Sequence, residues 1–413
     1  MNMKLNSWLL LISLTFGCNL LKKDSGSKNE DLLLLLALIP RGYQWNLPPG
    51  FPIPVVPAEN PMSQEKVDLG RFLFFDSNLS QDRSLSCGGC HKQSLAFSDG
   101  RQFGIGITGE AHPRNAQGLA NAAYHPRLTW SNPQQRTLES QSRTPMFGTT
   151  PIELGLSNDE YLSRLKADSR YIPLFSAAFG GGADSVTEQN VRFALASFQR
   201  TMISGGSPFD HYNFRGNTSA LTASQIRGLR VFNGEVAECF HCHGGFNFTD
   251  TSFHSQNTTQ EVFYHNNGTH TKVYYDALSI EKQGLREITL VESDQGKFRA
   301  PSLRNVGVTF PYMHDGSIMC DNNANPNHAS GIAAGATNLT CARNALTKVV
   351  EQYSCGGVGA GCLGNSDPKH PSIDTTLIRP FTLTAQEKTD LVEFLLSLTD
   401  SEFLSNPSFS SPF

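Results

Sequence analysis

Two five-residue segments, CGGCH at 87–91 and CFHCH at 239–243, share the spacing Cys-x-x-Cys-His. That spacing attaches a c-type haem: two thiols bond the haem vinyl groups and the adjacent imidazole takes the iron. A chain bearing it twice has to fold around two large flat groups, each of which needs helices on both sides to bury it. At 413 residues the chain suits two domains, and the two segments divide it accordingly.

The rest of the sequence fits a chain matured where such haems are attached. The N-terminus, MNMKLNSWLLLISLTFGC, has one lysine and an apolar run from Trp8 to Phe16, followed by Cys18. This layout resembles a bacterial lipoprotein signal over residues 1–18, with Cys18 as the lipidated first residue; an ordinary signal cut near Gly17 is the alternative. A polar tether and irregular lead-in, 19–60, follow, and the apolar stretch Leu32–Ile39 is too short to span a bilayer. The reading is therefore a periplasmic protein that meets a membrane only through its lipid anchor. A net charge of −4, from 33 basic and 37 acidic residues, offers no cationic face and argues against nucleic acid as a partner.

Setting aside Cys18 and the four haem thiols leaves Cys320, Cys341, Cys355 and Cys362 of the nine cysteines. In an oxidising compartment an even remainder suggests disulfides, and 320–341 with 355–362 is the shortest of three pairings. A zinc site is the rival, ranked lower because the segment is Gly/Asn-rich and lacks a close Cys-x-x-Cys.

Apolar residues fall at helical spacing and clear alternating strands are scarce, so the fold class is all-α. Ser185 with Glu188 reads as a capping box before Val191, Leu195, Phe198 and Met202. Thr222 with Gln225 does the same before Ile226, Leu229 and Phe232, and Thr384 with Glu387 before Leu391, Phe394, Leu395 and Leu398. Segments 204–219 and 254–300 read as loops, the first as the domain boundary. No internal repeat is visible beyond the haem motif itself.

The segments CGGCHKQSLAFSDGR, HPRNAQGLANAAYHPRLTW, LESQSRTPMFGTTPIELGL, CFHCHGGFNFTD and FRAPSLRNVGVTFPYMHDGS resemble the bacterial di-haem cytochrome c peroxidase superfamily. The likeness runs from about residue 60 to 405 and is nearest to the branch of MauG and the methanobactin-associated di-haem enzymes. It implies two cytochrome c-like domains, 61–210 and 211–405, with the active site at their interface. Cys87, Cys90 and His91 then hold a five-coordinate peroxidatic haem that meets hydrogen peroxide. Cys239, Cys242 and His243 hold a six-coordinate haem that stores the second oxidising equivalent in a bis-Fe(IV)-type state.

The family's distal acid falls on Glu153, with Gln141 beside it, and a positioned carboxylate suits the proton transfer that O–O cleavage requires. Trp130 matches a tryptophan lying between the haems; a core aromatic is the plainer reading. Asn115, Thr309 and Pro311 match a calcium site between the domains, with His314 and Asp315 near the second haem. For the sixth ligand of that haem the matching segment, ALTKVVEQYSCGG, offers Tyr353 and no Met, with Met313 the runner-up. His112 is expected to support the first pocket. His241, in the variable pair of its motif, is expected at solvent or the haem edge, and Ala237 stands where MauG has a surface-proximal Trp. The partner oxidised is a protein substrate; the alternatives are a small redox protein feeding a peroxide scavenger, and a non-enzymatic electron carrier.

Overall fold

In a computed structural model of the chain, residues 43–319 and 336–413 can be described. The signal and its Cys18, the tether with Leu32–Ile39, and Cys320 lie outside the described residues.

The first half is built on two helices that cross at a glycine. Ser63 accepts from the Lys66 amide and starts the helix Gln64–Phe75, whose Val67, Leu69, Leu73 and Phe74 are buried. It lies against the helix Glu188–Arg200, and a Cβ on Gly70 would sit 2.0 Å from the Ala194 carbonyl oxygen and 2.8 Å from Phe198 Cβ. Only a residue without a side chain permits that approach. Phe74 then meets Phe198 at 5.5 Å and Phe97 at 5.9 Å between ring centroids.

The second half repeats this plan. Thr222 and Gln225 form the expected capping box on the helix Ala223–Phe232, and Thr384 and Glu387 form another on Ala385–Leu396. A Cβ on Gly228 would sit 1.9 Å from the Asp390 carbonyl oxygen and 2.8 Å from Phe394 Cβ. Phe232 meets Phe394 at 5.2 Å and Phe248 at 5.9 Å. The repeat that the sequence hid thus consists of a glycine and the phenylalanine four residues on, followed by Cys-x-x-Cys-His. The long helix Ala336–Ser354 and the core residues Phe310, Tyr312, Leu346 and Val350 complete this half.

The all-α expectation holds: the described residues contain isolated bridges but no named strand. Three local expectations are corrected. The helix before Val191 is capped by Thr187, which accepts from Asn190; Ser185 ends a preceding 3-10 turn, its hydroxyl turned to the Gly182 carbonyl. Segment 204–219 is not all loop, because Ser207 and Asp210 form a capping box on a helix Pro208–Phe214 with proline at its start. Segment 254–300 likewise contains short helices, among them Lys272–Asp276 and Arg286–Thr289. Cys355 and Cys362 are disulfide-bonded to each other, as the spacing suggested. Cys341 is also disulfide-bonded.

From Trp45 onward both halves belong to one compact unit. Two ion pairs are nearly water-free: Arg200 to Glu139 at 2.8 Å within the first half, and Arg304 to Asp210, the last residue of the first half, at 2.8 and 2.9 Å.

Candidate active site and haem pockets

Each Cys-x-x-Cys-His segment is one tight turn that carries its histidine into the core. Residues Cys87–Cys90 form a short helix capped by Ser86, and Cys239–His241 form a 3-10 turn. The His91 Nδ1 lies 2.6 Å from the Phe97 carbonyl oxygen, and the His243 Nδ1 lies 3.2 Å from that of Phe248. A carbonyl can only accept, so Nδ1 carries the proton and Nε2 presents its lone pair. Both phenylalanines have positive φ, 62° and 51°, a left-handed kink that aims the carbonyl back at the imidazole. This is the supporting hydrogen bond that orients a metal-binding histidine. Sequence reading missed it, although the phenylalanine recurs just after both motifs.

The pockets suit haem in three further respects. Cys87, Cys90, Cys239 and Cys242 are free thiols, whereas Cys341, Cys355 and Cys362 are bonded. Beside the second motif opens a cavity of about 460 Å³, walled by Cys239, His243, Leu346, Val350, Phe381 and Leu391. Arg299 also lines it, 2% exposed, yet its guanidinium meets only neutral acceptors: the Thr129 and Ala300 carbonyls, His125 and Gln117. A buried cation without a carboxylate partner fits an anionic edge such as haem propionate.

Tyr353 and Met313 face this same cavity. Asn267 joins them: its Nδ2 donates to the Tyr353 hydroxyl at 3.0 Å and lies 3.8 Å from the Met313 sulfur. Burial pushes the Tyr353 phenol up to about 12, against the pull of the Asn267 hydrogen bond. His314 is buried in the cavity wall, stacked on Phe298 at 3.7 Å, and burial moves its imidazole down to about 3. His241 is exposed at the rim, as its place in the motif suggested.

Glu153 belongs to the first half. Its carbonyl accepts from the Ile107 amide at 2.9 Å. Gly106 packs beneath, where a Cβ would fall 1.9 Å from the Ile152 carbonyl oxygen and 2.8 Å from Glu153 Cα. The side chain is half-buried, 4.0 Å from the His112 Nε2. Burial raises its carboxyl to about 7, and its charge is felt at both Cys87 and Cys90. His112 is held by the Arg114 amide donating to its Nδ1. Gln141 ends the short helix Leu138–Gln141 and is half-buried.

Trp130 donates from Nε1 to the Asn115 carbonyl at 2.9 Å and lines the large cavity together with Asn115, Thr309 and Pro311. Asn115 Nδ2 donates to the Arg101 and Gln102 carbonyls.

An all-helical chain with two such attachment turns, each with its histidine oriented from behind, is a di-haem c-type cytochrome. The chain belongs to the di-haem cytochrome c peroxidase family, whose sequence profile matches residues 64–219. It is 33% identical to the methylamine utilization protein MauG of Methylorubrum extorquens over 342 residues, 83% of this chain and 80% of that protein. It is 32% identical to the cytochrome-c peroxidase IdrP1 of Pseudomonas sp. strain SCT, covering 86% of each. The crystal structure of a MauG-like protein associated with microbial copper homeostasis superposes with a TM-score of 0.78 at 39% identity, over 90% of this chain and 99% of that one. The protein is thus a di-haem peroxidase, an oxidoreductase that carries two c-type haems and consumes hydrogen peroxide. No helix among the described residues is long and apolar enough to cross a membrane.

Proposed function

We propose that the enzyme uses hydrogen peroxide to oxidise a protein partner, in the manner of the MauG-like branch, with peroxide reacting at the His91 haem. The observation that carries this reading is the asymmetry of the two pockets. Next to Cys87 and Cys90 stands a carboxyl raised to about 7, while the cavity beside His243 is faced by a phenol and a thioether. Bound there, the two haems supply the electrons that reduce peroxide.

The chain's own residues manage the proton. Glu153 accepts one from the near oxygen of peroxide and returns it to the far oxygen, which leaves as water. His112, 4.0 Å away, keeps the carboxylate turned into the pocket, and Gln141 steadies the bound peroxide. Tyr353 would hold the iron of the second haem, its hydroxyl fixed by the Asn267 amide. Phenolate is a harder, anionic donor than thioether and favours the higher iron oxidation states. Trp130 couples the two sites. Asn115 Oδ1 with the Thr309 and Pro311 carbonyls holds a calcium ion at the junction of domains 61–210 and 211–405, an all-oxygen donor set that suits a hard cation. The protein works in the periplasm, tethered through Cys18.

The test is optical and magnetic spectroscopy of the purified ferric holoprotein. One high-spin and one low-spin haem are expected, with peroxide changing the spectrum before any reductant is added. Two low-spin haems inert to peroxide would overturn the reading. A second reading, peroxide scavenging fed by a small redox protein, is favoured by the Met313 sulfur lying within reach of the same Asn267 amide. It requires a high-potential second haem that must be reduced before peroxide reacts, which a redox titration detects.

A further inference from the structure

We infer that Tyr274 is the surface exit for oxidising equivalents, passing them out of the second haem pocket through His270 and His314; this relay rests on the peroxide-driven reading above. The outer position is Tyr274, on the short helix Lys272–Asp276 and 40% exposed. Its ring lies flat on His270, with centroids 3.8 Å apart and planes 21° from parallel. His270 meets His314 edge-on at 5.9 Å, and His314 lies in the cavity wall, stacked on Phe298. Three rings therefore connect solvent to the pocket without a gap.

An exposed phenol is a good exit only if its proton can leave with the electron. Asp315 provides for that: its Oδ2 lies 3.4 Å from the Tyr274 hydroxyl and 2.6 Å from the His270 Nε2. The neighbouring Tyr275 lacks this provision, being fully buried with a hydroxyl that has no hydrogen-bond partner. Tyr274 loses one electron inward, to the site oxidised by peroxide, and its phenolic proton to Asp315, becoming a neutral radical. An oxidisable aromatic side chain of the protein partner then returns one electron, and Asp315 returns the proton. Two such passages take two electrons from the partner, which releases two protons as it is oxidised; peroxide takes up two electrons and two protons to give two waters.

The test treats the di-haem holoprotein with peroxide and a nitroso spin trap, without partner, and locates the adduct by peptide mass spectrometry. The adduct is expected on Tyr274 and is lost in Tyr274→Phe. His270→Leu leaves Tyr274 exposed but removes the ring beneath it, so the adduct there is lost as well; Tyr275→Phe retains it. A peroxide-induced spectral change with no adduct on Tyr274, or an adduct that survives His270→Leu, would overturn the relay alone. An unchanged ferric spectrum would overturn the functional reading and the relay together.

Discussion

At the scale of single residues, the group with the most to lose is Glu153. A base that takes a proton from peroxide works in its ionised form, so a carboxyl raised to about 7 gives a rate that climbs with pH through about 7 and levels above it. Glu153→Gln is expected to lower the second-order rate of the ferric protein with peroxide by about 10²–10⁴, the usual contribution of a placed acid or base, and to abolish the inflection. Stopped-flow rates across pH check both; an unaltered profile removes Glu153 from the reaction. The acid is assigned in the sequence only through the family resemblance, since PIELG has no chemistry of its own. What sets it apart is the burial that raises its carboxyl to about 7, on a backbone against which Gly106 packs from across a loop. Asn267 and Arg299 were not legible for the same reason: one asparagine or arginine in a long irregular segment carries no periodicity, and its role comes entirely from what the fold sets opposite.

At the scale of elements, the haem turns and two of three helix caps could be read directly, because each is a local pattern of fixed spacing. The third failed by two residues, since Ser185 and Thr187 both precede the apolar stripe and only the fold decides which faces the free amides. The glycine crossings were not legible as a repeat because the helix partner in each is more than a hundred residues away. They make a sharp prediction. Gly228→Ala places a methyl group against the Asp390 backbone, which cannot retreat as a flexible side chain would. Overpacking of this kind costs about 1–3 kcal/mol, and Gly70→Ala at the Ala194 carbonyl should cost a similar amount. Thermal unfolding of the holoprotein measures it; a neutral Gly228→Ala would show that the crossing has slack.

At the scale of the whole molecule, the question is why two haem-bearing halves form one unit. Between them lies a knot of buried polar groups. Asp400 accepts from the Gly205 and Gly206 amides and the Ser204 hydroxyl, Asn305 bridges Asp400 to Ser204, and Asn121 ties Ser204 to Asn247. A donor left without its acceptor in such a place costs about 1–3 kcal/mol. Asp400→Ala strands four, the Phe403 amide included, and should lower the unfolding midpoint while both halves still melt together; calorimetry showing two separated transitions would contradict the shared unit. On the proposed reading the shared unit matters because the labour would be divided: peroxide at one iron, storage at the other. The ligand at the second iron sets which partner the whole molecule can serve. With Tyr353 as the proposed ligand, Tyr353→Met would exchange an anionic phenolate for a neutral thioether, which stabilises the lower oxidation state and raises the potential of that haem. The variant is expected to take an electron first and to react with peroxide only after partial reduction, whereas the parent is expected to react from the all-ferric state. A redox titration paired with peroxide kinetics decides it, and equal potentials in parent and variant would mean that Met313, not Tyr353, already holds the iron.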